Sequence, residues 1–252
     1  MIKKVEGLII DDRNYSESSK ILFVITKEYG LISIMAKGVR KIKSKLRGVT
    51  GKLTYGYFHV YYKENKLSTL IDVDIINSLK LIKTDLLKIS YTSYLCELVG
   101  QVIKQVSLDK DKKEIFDVFI GTLLKINEGF DPMVLTNILE LKLLDYLGVK
   151  PMIDSCVKCG DTKAIITISP EKGGFLCHKC HNEEYIVKDK TIQMIRMFYY
   201  VDITKITKLD IDSILKNEIN KIIEHYYEIH TGLYLKSKDF LHKINVDKCS
   251  VV

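Results

Sequence analysis

The chain has 252 residues, 46% of them hydrophobic, enough for one large domain or two small ones with a sizeable core. Its formal net charge is +7, a moderate excess that leans towards anionic partners. Met1-Ile2-Lys3-Lys4 runs straight into a strand-like pattern without the apolar segment of a secretory signal. No uncharged apolar stretch approaches the ~18–20 residues that span a bilayer, so secreted and membrane classes are set aside and a cytoplasmic location is expected.

Residues 1–80 read as strands. Val5-Glu-Gly-Leu-Ile-Ile10, Ile21-Leu-Phe-Val-Ile-Thr26 and Leu31-Ile-Ser-Ile-Met-Ala36 are three short ones, the last two joined at Glu28-Tyr-Gly30. Two longer runs follow, Lys52 to Tyr62 and Leu67 to Ile76, with the polar turn Lys63-Glu-Asn-Lys66 between them. Five short strands with a basic loop after the third fit an OB-fold, a five-stranded Greek-key barrel that commonly binds oligonucleotides.

Near residue 81 the apolar period becomes helical. Thr84 is expected to cap a helix reaching Val106, and a second should run from Lys112 to Ile126. Asp131-Pro132 is a strong start signal, with Asp as N-cap and Pro at the first helical position. The helix that follows, through Leu147, is apolar on most sides and should be the centre of a bundle, stopped by Gly148. Helical pattern resumes near Asp189, and the last clear helix carries Ile211 to Tyr226, ending at Gly232.

Between these helices lie two cysteine pairs, Cys156-Val-Lys-Cys159 and Cys177-His-Lys-Cys180. A two-residue spacer lets both thiolates of a pair meet one tetrahedral ion, and the second pair closes the sphere, so a Zn2+ site is expected. Four thiolates leave no open position for water, so this zinc is expected to be structural. His178 and His181 flank Cys180 and could replace a cysteine, but four sulfurs already suffice. Cys96, in an apolar helical pattern, reads as a small buried hydrophobe, and Cys249 as an inert thiol in a polar tail. The expected class is α+β: an OB-fold domain over residues 1–80, a helical domain over 81–150 and 186–244, a zinc-binding insertion over 151–185, and a flexible tail over 245–252.

The positive charge is concentrated. Lys37, Arg40, Lys41, Lys43, Lys45, Arg47 and Lys52 fall in one stretch, and no Asp or Glu occurs between Glu28 and Glu64. Cations this dense repel one another unless an anion binds among them, and a phosphate backbone supplies that anion with release of its counterions. A solvated basic loop without a partner is the plainer reading. The following run, Tyr55-Gly-Tyr57-Phe58-His59-Val-Tyr61-Tyr62, should place one set of rings in a core while the alternate set could stack on bases.

The order of parts resembles the bacterial RecO family. Val5-Glu-Gly-Leu-Ile-Ile10, Tyr29-Gly-Leu with Ala36-Lys-Gly-Val-Arg-Lys41, Tyr91-Thr-Ser-Tyr-Leu-Cys-Glu-Leu98, Leu143-Leu-Asp-Tyr-Leu-Gly-Val-Lys-Pro151, Gly173-Gly-Phe-Leu-Cys-His-Lys-Cys180 and Leu233-Tyr-Leu-Lys-Ser237 are similar to that family's segments in the same order. The resemblance implies a recombination mediator in DNA repair that binds single- and double-stranded DNA, anneals complementary strands and needs no ATP. It implies action with RecR to load RecA onto strands coated by single-stranded-DNA-binding protein, whose acidic C-terminal tail is recognised, and a nucleoid-associated location. No catalytic residues are expected: there is no P-loop, no G-x-G-x-x-G and no H-E-x-x-H. Two other readings stay open on the residues alone. One is a zinc-ribbon adaptor for RNA or protein in translation or transcription. The other is a thiol oxidoreductase, which bound zinc would oppose.

Overall fold

The computed structural model describes residues 1–241; the expected tail over 245–252 and Cys249 lie outside them. The described chain forms two compact units, residues 1–128 with the segment from Leu235, and residues 129–234.

The first unit opens with β1 (Ile2–Asn14), β2 (Lys20–Thr26), β3 (Gly30–Ala36), β4 (Tyr55–Tyr61) and β5 (Ser68–Asn77). They close into a barrel in the order β1-β2-β3-β5-β4. The closure depends on the long first strand. Ile2 to Leu8 pair with β4, and Gly7 to Asn14 pair with β2, with the register shifting between Ile9 and Asp11. Such a shift bends a strand and sharpens its twist, which a small barrel needs. Gly7 faces Gly56 of β4 at this bend. A Cβ on Gly56 would collide with the backbone of Asp74, and one on Gly7 would strike Val24 and the Ile25 carbonyl. The last seam, β3 with β5, is parallel and short, pairing Ile34 with Ser68 and Met35 with Thr69.

Alternate residues fill the barrel: Val5, Ile9, Leu22, Val24, Ile34, Phe58, Val60, Leu70 and Val73 are buried together. Each such side chain contributes roughly 1.5–3 kcal/mol when removed from water. All five expected strands are present: the first three are longer than expected, the fourth is shorter, starting at Tyr55 rather than Lys52, and the fifth is shifted by one residue.

Three helices complete this unit: α1 (Lys80–Lys83), α2 (Leu86–Gln105) and α3 (Asp109–Glu128). Thr84 does not cap the long helix. It ends α1, its hydroxyl donating to the Lys80 carbonyl at 3.0 Å, and Asp85 caps α2 by accepting from the Leu87 and Lys88 N–H groups. The cause is an extra helical turn entered through Leu79, which takes a left-handed φ of 48° that a branched residue rarely adopts. Residues 236–241 are helical. Glu97 of α2 accepts from the backbone N–H groups of Lys236 and Ser237, capping that start.

The second unit holds α4 (Pro132–Tyr146), β6 (Ile165–Ser169), β7 (Gly174–Cys177), α5 (Asp189–Tyr200) and α6 (Ser213–His230). Asp131 caps α4, accepting from Met133 and Val134, with Pro132 in the first turn as expected. Buried residues run all round α4, from Leu135, Ile138 and Leu139 to Thr136, Asn137 and Glu140. Tyrosine hydroxyls tie its surroundings together: Tyr227 donates to the Glu140 carbonyl at 2.9 Å and Tyr199 to the Asp145 carboxylate. Asp131 also meets the Lys216 ammonium of α6 at 2.6 Å. Among the described residues no helix is long and apolar enough to cross a membrane.

Candidate nucleic-acid interface and metal centre

The two cysteine pairs meet. The Sγ atoms of Cys156, Cys159, Cys177 and Cys180 all lie within 4.8 Å of one another. A tetrahedral Zn–S distance of ~2.3 Å sets sulfur–sulfur edges of about 3.8 Å, so the set fits one zinc ion. Backbone hydrogen bonds build the cradle. The Gly160 N–H donates to the Cys156 carbonyl at 2.9 Å, and the Cys180 and His181 N–H groups donate to the Cys177 carbonyl at 3.0 Å. The second pair hangs from the β6–β7 hairpin; the first is pinned beside it, Val157 donating to the Phe175 carbonyl at 2.8 Å.

The sulfur electrostatics favour a cation. Burial opposes ionisation of Cys156, yet N–H groups of Cys177, Cys159 and Lys158 prevail and bring its thiol down to about 6. The neighbouring Cys159 sulfur, together with burial, pushes Cys180 up to about 12. Four thiols so close cannot all ionise alone, and a dication removes that obstacle. Neither flanking histidine is in the sulfur set: His181 Nε2 lies 2.6 Å from the Glu184 carbonyl oxygen, and His178 is exposed. Cys96 is buried away from the set, its thiol pushed up to about 12 by burial.

The module is laced to its helices. Arg196 of α5 donates from Nε to the Ile153 carbonyl at 2.9 Å and lies over the Phe175 ring at 5.1 Å. At the hairpin turn, His225 of α6 meets the Glu171 carboxylate at 2.8 Å and His230 meets the Pro170 carbonyl at 2.6 Å. None of these three carried a spacing signal; only the fold brings them to the hairpin.

The basic stretch leaves the barrel after β3 and returns into β4. Val39 is buried in the barrel core, and Leu46 and Val49 pack against it. A chain of turns lies between, with Arg47–Val49 in a short 3-10 helix and the Thr50 hydroxyl donating to the Leu46 carbonyl. These anchors leave Lys37, Arg40, Lys41, Lys43, Lys45 and Arg47 exposed. No carboxylate among the described residues pairs with any of these six. Lys52 differs, its ammonium sitting 2.6 Å from Asp11 of β1. That pair joins residues far apart in sequence, so the local absence of acids could not reveal it.

The aromatic strand divides as its alternation requires. Phe58 and Val60 are fully buried, while Tyr57 and Tyr61 are exposed. The outer face is of mixed charge: Lys4 lies over the Tyr57 ring at 4.2 Å, and His59 meets Asp74 at 2.8 Å. A further cluster was not legible in the sequence. Tyr29 and Tyr62 stack with centroids 4.4 Å apart, and the Lys3 ammonium lies 4.5 and 4.6 Å from the two rings.

Comparison with known proteins covers both the barrel and the helical part of the chain. Residues 1–79 match the family model described as Recombination protein O N terminal, and residues 83–239 match Recombination protein O C terminal. A DNA repair protein RecO of Halalkalibacterium halodurans is 35% identical over 97% of this chain and 96% of its own length. Those of Bacillus subtilis and Listeria monocytogenes are 33% and 32% identical over 97% of this chain and 95% of their own. By both family models and by these full-length likenesses, the chain belongs to the RecO family of DNA repair proteins.

Proposed function

We propose that this protein is an ATP-independent, non-enzymatic recombination mediator. It binds single- and double-stranded DNA through Lys37, Arg40, Lys41, Lys43, Lys45, Arg47 and Lys52 and anneals complementary strands. It acts with RecR to load RecA onto DNA coated by single-stranded-DNA-binding protein, whose acidic tail it recognises, in the nucleoid-associated cytoplasm. The observation that carries the reading is the barrel-anchored loop with six exposed cations that pair with no carboxylate among the described residues.

The physical step is charge neutralisation. Two single strands repel through their phosphates, and bound cations release counterions and lower that repulsion. Contact through the backbone leaves base edges free to pair. Cys156, Cys159, Cys177 and Cys180 would hold Zn2+; bound by four thiolates, the ion holds the hairpin and has no position for substrate. The relatives' printed name, DNA repair protein, agrees with a repair role.

The test is annealing of two complementary oligonucleotides, each coated with the cognate single-strand-binding protein, without ATP. Stoichiometric protein should accelerate it. DNA binding without acceleration would overturn the mediator reading, and a clear preference for RNA over matched DNA would move the protein to the adaptor class.

A further inference from the structure

Within the basic loop the cations are not equivalent. Arg40 and Arg47 line one cavity of about 330 Å³, with Lys20, Val39 and Thr50 completing its wall. Lys20 is already neutralised, its ammonium 2.7 Å from Asp12. The uncompensated charge facing the cavity therefore belongs to the two arginines.

Arg40 is held from several sides. It follows Val39, which is buried in the barrel core. Its backbone N–H donates to the Ser18 carbonyl at 3.0 Å and its Nη1 to the Ser16 carbonyl at 2.6 Å. One N–H of the guanidinium is thus spent on orientation, and the rest of the planar fork remains for a ligand. Arg47 opens the short 3-10 helix, whose Leu46 and Val49 pack on the barrel core, and its own N–H donates to the Ser44 carbonyl at 3.2 Å. Both arginines stand beside apolar anchors. Lys41, Lys43 and Lys45 stand between them on the exposed turns.

We propose that Arg40 and Arg47 form a preorganised clamp for one backbone phosphodiester, while the lysines contribute only diffuse charge. The clamp rests on the reading of the loop as the nucleic-acid interface and adds a fixed point of attachment to it. The chemistry selects the ligand. A guanidinium presents donors in a rigid fork that matches two oxygens of one phosphate, which an ammonium cannot do. Two forks on one cavity suit a phosphodiester, whose two non-bridging oxygens stand on a tetrahedral phosphorus and can be met from different sides, whereas the two oxygens of a carboxylate lie in one plane. Clamping one phosphate would fix where the strand enters the loop and leave its neighbours held loosely enough to exchange.

The clean variant is Arg47→Lys, because the Arg47 side chain makes no hydrogen bond among the described residues, so the loop should keep its fold. Charge is unchanged, so a purely electrostatic loop would bind a 5′-hydroxyl dT oligonucleotide as before. The clamp predicts about a tenfold loss of affinity, the size of one charge-assisted contact, with the salt slope unchanged. Arg40→Lys should do the same, with a thermal melt to check the Ser16 contact. Wild-type affinity in Arg47→Lys, beside a lowered salt slope in Lys41→Gln/Lys43→Gln/Lys45→Gln, would overturn the clamp and leave the interface standing. Unchanged binding in both variants would remove the interface and the clamp together.

Discussion

The four-cysteine module and the basic loop solve one problem by opposite means. Each is a short segment with little or no apolar core of its own, the module's being confined to Leu176, Ile165 and the cysteines, and each must hold a shape. The module uses four sulfurs within 4.8 Å and a two-stranded hairpin. The loop uses three apolar anchors, Val39, Leu46 and Val49, driven into the barrel core. Sulfur ligation of a metal ion would concentrate its energy in one place, whereas apolar anchoring spreads it over several contacts of a kilocalorie or two. The module should therefore fail all at once and the loop by degrees.

The largest expected effect is on the module. Cys177→Ser should abolish zinc retention, measured as metal equivalents after purification. Structural zinc sites contribute roughly 10–16 kcal/mol, so the β6–β7 amides should lose hydrogen-exchange protection while those of β1 and β4 keep it. Full protection in a zinc-free variant would end the contrast. Next is the loop's outer face. Lys41→Gln/Lys43→Gln/Arg47→Gln should lower the log–log salt slope of single-strand binding by about 2, at ~0.7 per phosphate contact. Val39→Ala tests the anchoring itself. It should cost about 2 kcal/mol by denaturant melt, with the loop still present and DNA affinity only modestly reduced.

Smaller effects come from the helix caps. Asp85→Ala should destabilise α2 by about 1 kcal/mol, where Thr84→Ala should do less, and equal losses would return the cap to Thr84. In α6, the Leu215 N–H holds the Asp212 carboxyl below its usual range. A lowered folded-state pKa gives stability that is present above the ordinary carboxylate value and is lost as pH falls from there through the lowered folded-state value. Acid should therefore loosen α6 below about pH 4, and Asp212→Asn should flatten that part of the profile.

The barrel and the metal centre were legible because their signals are local. Alternation marks a strand within six residues, and two-residue spacers mark a thiolate pair within four. What escaped was set by distant residues. Glu28 and Glu64 bracket a charge block with no local acid, yet Asp11 of the adjoining strand β1 pairs with Lys52. The cap at Asp85 was masked by the turn through Leu79, a conformation that sequence argues against. The grouping of the early helices with the barrel depends on packing of α2 and α3 against β1 and β3, which no helical period reports.

Closure of the barrel has a consequence for company. Every one of its five strands is hydrogen-bonded on both sides, so outside the short β3–β5 seam the sheet offers no free edge on which a visiting strand could extend it. Away from that seam, a molecule that recognises this barrel must read side chains and loops and cannot borrow its backbone. The same closure guards most of the sheet against edge-to-edge association with its own copies.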